Sequence, residues 1–133
     1  MLPRIALICL LAVLLAACGG PAPATVQVDT QTVDGITIGL AAVESPVLNS
    51  SQELIITLAD AQGQPIIGAS VYLDLTMPTM PMGTTRPEAV PLGQGRYSTR
   101  TAYTMSGTWE ITVVAEVNGT EHRALFTRTV PEL

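Results

Sequence analysis

Lysine is absent, and the six cations are all arginine, scattered along the chain at 4, 86, 96, 100, 123 and 128 against eleven carboxylates. A net charge of −5 without a basic cluster lacks the electrostatic footprint by which proteins hold nucleic acid. Aromatic residues make up only 4%, too few to build stacking platforms for bases or sugars. Charged residues are 13% of the chain while 47% are hydrophobic, a balance that excludes a disordered polyelectrolyte and fits one globular domain. No apolar run reaches the ~20 residues of a membrane-spanning helix; the longest, at 5–15, has about eleven. Signatures of catalysis are missing too. There is no GxSxG and no Ser-His-Asp pattern. Glu53, Asp60, Asp74, Glu110 and Glu116 fall mostly on outward strand positions, with nothing to pair them as acid and base. Gly93-Gln94-Gly95 lacks the strand-to-helix context of a phosphate loop. An enzyme is not expected.

Cysteine occurs at 9 and 18 only. Met1-Leu2-Pro3-Arg4, the apolar run and the small residues after it read as a secretion signal. Leu15-Ala16-Ala17-Cys18 resembles the bacterial lipobox at all four positions. The resemblance implies cleavage before Cys18, a diacylglyceryl group on its sulfur and often a third acyl chain, enough for stable anchoring. Residues 1–17 are then a signal peptide, 18–34 a lipidated N-terminus with a flexible, Pro-bearing tether, and 35–133 the folded domain. Loss of Arg4 with the leader takes the net charge from −5 to −6. With Cys18 lipidated the domain holds no thiol, which excludes disulfides, zinc thiolate sites and cysteine nucleophiles. The expected location is extracytoplasmic, on a membrane surface.

From Gly35 on, apolar residues alternate with polar ones between turn signals. Ile36, Ile38, Leu40 and Ala42 form one such set; Leu54, Ile56 and Leu58 the next; then Val71, Leu73, Leu75 and Met77. A Pro-interrupted stretch at 86–92 reads as an edge strand. Two strands follow at 96–104 and 108–117, and Asn118-Gly119, a strong hairpin signal, leads into 120–130. Seven short strands and no amphipathic helix predict an all-β, immunoglobulin-like β-sandwich, with a closed barrel as the alternative. Trp109, Ile111, Leu73, Leu75, Ile56 and Leu58 are its expected core.

Gly68-Ala69-x-Val71-x-Leu73-x-Leu75-x-Met77-Pro78-x-Met80-x-Met82, then Gly95-x-Tyr97, then Met105-x-Gly107-x-Trp109, closely resembles the YtkA-like domain over residues 38–130. That family comprises small extracytoplasmic sandwiches, also found within copper-related and cytochrome-oxidase-assembly proteins. The resemblance implies the fold and, through the family's company, copper handling or an envelope partner in oxidase assembly.

Three methionines stand within Met77-Pro78-Thr79-Met80-Pro81-Met82. The prolines fix φ and remove backbone donors, so this segment leaves its strand as a stiff loop. Thioethers are soft, uncharged ligands suited to Cu(I). If the Ser106-Gly107 turn lies at the same end, Met77, Met80, Met82 and Met105 compose a candidate Cu(I) site. The competing reading is a methionine plug: Met77 shares the parity of Leu75, Met105 that of Tyr97 and Tyr103, and methionine fills irregular gaps well. His122 shares parity with Ala124 and Phe126 and reads as a half-buried strand residue more than a ligand. Two functions follow, a binding module for copper or a structural, protein-interaction module without metal.

Overall fold

The computed structural model describes residues 19–80 and 83–133. The expected leader, Cys18 and Met82 lie outside the described residues. Eight strands run in chain order: β1 (Val26–Val33), β2 (Ile36–Val43), β3 (Gln52–Ala59), β4 (Ser70–Thr76), β5 (Val90–Gly93), β6 (Arg96–Thr101), β7 (Gly107–Val117) and β8 (Thr120–Val130). They form a five-stranded sheet, β1-β2-β3-β6-β5, facing a three-stranded sheet, β4-β7-β8. Every strand pairing is antiparallel. No helix occurs among the described residues. The arrangement is a two-sheet sandwich and not a closed barrel.

Period-two alternation explains the core. Ile38 and Leu40 of β2 and Leu54, Ile56 and Leu58 of β3 point inward from one sheet; Leu73 and Leu75 of β4 and Ile111 and Val113 of β7 meet them from the other. All six residues expected in the core are buried. The Asn118-Gly119 hairpin is in place: Asn118 sits at φ 51° and Gly119 at φ 81°, and Val117 pairs with Thr120. Two positive φ values in succession are what the twist of a two-residue hairpin demands.

The expected strands are β2 to β8, and β1 is additional. Its eight residues lie within what reads as a tether at 18–34, so that boundary is corrected: the folded domain begins near residue 26. Asp34-Gly35 (φ 52° and 79°) turns β1 back onto β2, with Val33 paired to Ile36. The alternation rule misses β1 because Val26 and Val28 point outward and stay exposed. Its partners toward the other sheet are polar: Arg128 Nη1 donates to Asp29 Oδ2 at 2.7 Å, and Gln31 Nε2 donates to the Leu125 carbonyl.

The stretch expected as a single edge strand at 86–92 changes sheets midway. Residues 85–89 hydrogen-bond along β4, with Leu75 N donating to Thr85 O at 2.9 Å and Ala89 N to Val71 O at 2.9 Å. From Val90 the chain pairs with β6 instead. Asp74 is a second correction. It lies on the outward face of β4 but is buried at 9% exposure, with Arg86 Nε 2.6 Å from Oδ1 and Arg123 Nη1 3.5 Å from Oδ2. Two guanidinium groups cover it.

Candidate functional site

Leu75 is the last fully buried residue of β4, and Met77 follows one residue beyond the strand with its side chain still in the core, 6% exposed. The backbone then turns: Met80 N donates to Met77 O at 3.1 Å, closing a four-residue turn. Pro78 occupies its second position, where a φ near −65° is required. Past the turn the chain leaves the core, and Met80 is 46% exposed. Pro78 thus has the expected effect of ending the strand.

A second loop, between β6 and β7, meets this turn. Tyr103 is buried at 1% exposure, and its ring stands against Trp109 at 5.4 Å between centroids, inclined at 66°. The Trp109 Nε1–H donates to the Met105 carbonyl at 3.0 Å. Met105 is half-buried and packs on the core. Gly107 starts β7 at φ +121°, and a Cβ there would stand 2.9 Å from Met77 Cε. The bare Cα makes room for the Met77 methyl, which brings the two loops together.

Between the loops lies a cleft of about 290 Å³ lined by Met77, Met80, Met105 and Trp109, with Thr85 and Thr104 among its polar lining. Three of the four methionines expected to form a site therefore line one cleft, and the fourth, Met82, lies outside the described residues. Among the described residues no carboxylate, imidazole or thiol lines the cleft. Among the described residues no group of three or more His, Cys, Asp or Glu could hold a metal ion. The donor set is sulfur with flanking hydroxyls, which suits a soft cation and is poor for zinc or magnesium.

His122 has no place in this cleft. It is buried on β8, and its Nδ1 lies 3.2 Å from Asp34 Oδ2 at the β1–β2 turn. Two features escape sequence reasoning. Trp109 reads as core, yet it also forms one wall of the cleft; the spacing Met105-x-x-x-Trp109 across a glycine turn is the signal that could reveal it. The second is a buried polar group beside it. Arg128, the cross-strand partner of Trp109, is 3% exposed. Its Nε and Nη2 and the Tyr103 hydroxyl have no hydrogen-bond partner among the described residues. Burial raises the Tyr103 phenol above its ordinary pKa, against the opposing pull of the Arg128 charge.

Comparisons with known proteins agree with this architecture. No curated protein sequence matches the chain. Among solved structures, the Lin-41 filamin domain superposes with a TM-score of 0.51 at 14% identity, covering 78% of this chain and 91% of that one. At that identity the likeness concerns the fold, an immunoglobulin-like sandwich. The YtkA-like family matches residues 30–114, from within β1 to the middle of β7, which takes in the 77–80 turn, Met105 and Trp109. The match spans more than half of the sequence, and the chain belongs to the YtkA-like family.

Proposed function

We propose that this protein is an extracytoplasmic binding module, lipid-anchored through Cys18, that holds Cu(I) in the methionine cleft and serves copper handling or cytochrome-oxidase assembly. One observation carries the reading: Met77, Met80 and Met105, from two separate loops, line one cleft that has no charged side chain among its described lining residues. Thioethers prefer Cu(I) and compete for no proton. The site should therefore keep its affinity at acidic pH, where imidazole ligands are lost. In this reading the protein binds and passes on its cargo without catalysing a reaction.

The test is titration with Cu(I) under reducing conditions against a competing chelator. Wild type should bind one equivalent, and Met80→Leu should lower the affinity about tenfold, ~1.4 kcal/mol. Because Met80 is exposed and leucine has a similar volume, stability should change by less than ~1 kcal/mol. A folded Met80→Leu/Met105→Leu protein that binds like wild type would reduce the methionines to gap-fillers, which the burial of Met77 also fits. The anchor is tested separately: Cys18→Ser should move the protein from the membrane to the soluble fraction.

A further inference from the structure

We infer that Trp109 is part of the metal site itself, its indole ring forming a π contact with a soft monovalent cation held by the methionine sulfurs. The inference rests on the Cu(I) reading of the cleft and adds a fourth, non-sulfur participant to it.

The geometry of the ring carries the argument. Trp109 is 8% exposed, and it lines the cleft alongside Met77, Met80 and Met105. Its polar edge is already used, since Nε1–H donates to the Met105 carbonyl at 3.0 Å. That bond removes the need for a polar partner in the cleft and ties the ring to the loop that carries one of the sulfurs. Tyr103 holds the ring from the side, at 5.4 Å and 66°. An indole so fixed loses no rotamer freedom when a ligand arrives, which keeps the entropic cost of a contact low.

Charge supplies the second line. Among the described residues, a cation entering this cleft meets neutral methionines and threonines and no carboxylate. Burying a charge without compensation is costly, and the cost is much steeper for a divalent ion. The negative face of an aromatic ring compensates a monovalent charge at close range, and tryptophan does so best. Arg128, the cross-strand partner of Trp109, has its charge paired with Asp29 at 2.7 Å. In this proposal the cleft is selective twice over: sulfur chooses a soft ion, and the indole with its uncharged neighbours chooses a single positive charge.

The protein has one tryptophan, so indole emission reports this site alone. Ag(I), a redox-stable ion with the ligand preferences of Cu(I), is the probe, added to the wild-type domain while binding is followed independently by chelator competition. The expected result is quenching of indole fluorescence that saturates with binding, accompanied by a rise in phosphorescence. Heavy-atom spin–orbit coupling of that kind requires contact between ion and ring, and a distant structural role would not produce it. Zn(II) should leave the emission unchanged. Trp109→Phe, checked for folding by thermal melting, should bind about fivefold more weakly with the same stoichiometry. Ag(I) bound with full affinity and no change in emission or phosphorescence overturns the role of Trp109 and leaves the sulfur site standing. Absence of binding in the competition assay overturns both. Should Trp109→Phe fail to fold, the wild-type emission decides by itself.

Discussion

Where β1 lies along β8, the gap between the sheets is closed by charge and hydrogen bonds; where β4 runs out into the 77–80 turn, it is closed by thioethers. Along the first seam Asp29 takes the guanidinium of Arg128 at 2.7 Å, Gln31 reaches the Leu125 carbonyl, and Asp34 meets His122 at 3.2 Å. Each contact is directional and specifies one position for β1. At the second, Met77 and Met105 pack without directional demands, and a cleft of about 290 Å³ is left between them. A buried guanidinium tolerates little displacement because its desolvation must be offset by a partner. A thioether tolerates much more, being flexible and weakly polar. The polar seam fixes the frame, and the sulfur end is the more adaptable of the two.

The sharpest way to break this contrast is to remove one partner of the polar seam. Asp29→Ala leaves the Arg128 guanidinium buried with Nε and Nη2 already unpartnered, and should cost about 3 kcal/mol in urea unfolding. Arg128→Met, which removes the charge and keeps an apolar stem, should lie within ~1 kcal/mol of wild type, and combined with Asp29→Ala it should restore most of the loss. A loss no smaller in the double variant than in Asp29→Ala alone would mean that the seam acts by something other than pairing a buried charge.

A smaller effect is expected at the methionine end. Gly107→Ala puts a Cβ on a backbone at φ +121°, 2.9 Å from Met77 Cε. The methyl can yield, so backbone strain dominates, and thermal melting should show a loss of about 1–2 kcal/mol. A variant as stable as wild type would show that this end relaxes more freely than proposed.

Tyr103→Phe should have the least effect near neutral pH. The hydroxyl is buried without a partner, so deleting it should change stability by no more than ~1 kcal/mol, with a gain as the expected sign. Its effect emerges in alkali. Burial raises the folded-state phenol pKa, so the native state keeps its proton after the unfolded chain has lost it. Stability is then intact below the ordinary tyrosine value of about 10 and declines as pH rises past it. Unfolding curves across that range should show a shallower decline in Tyr103→Phe than in wild type.

Much of the frame was legible in the residues because its causes are local. Alternation in 36–42, 54–58, 71–77 and 108–117 follows from side chains pointing to opposite faces of a strand, and Asn118-Gly119 specifies a hairpin by its own dihedral preferences. The boundary of β1 was not legible, because a strand whose inward contacts are Asp29 and Gln31 has the composition of a linker until Arg128 and the Leu125 carbonyl are beside it. Asp74 reads as solvated for the same reason: its cover, Arg86 and Arg123, comes from other segments.

The sequence by itself determined that this chain is an all-β sandwich and that Pro78 ends a core strand, since periodicity and φ restriction are properties of neighbouring residues. Whether its methionines meet was decided only by the tertiary structure. Met77 and Met105 come together because β4 pairs with β7, and because Gly107 lacks the Cβ that would hold Met77 away. Trp109 became a wall of the cleft by the same pairing, through a hydrogen bond to a carbonyl that no side-chain pattern encodes.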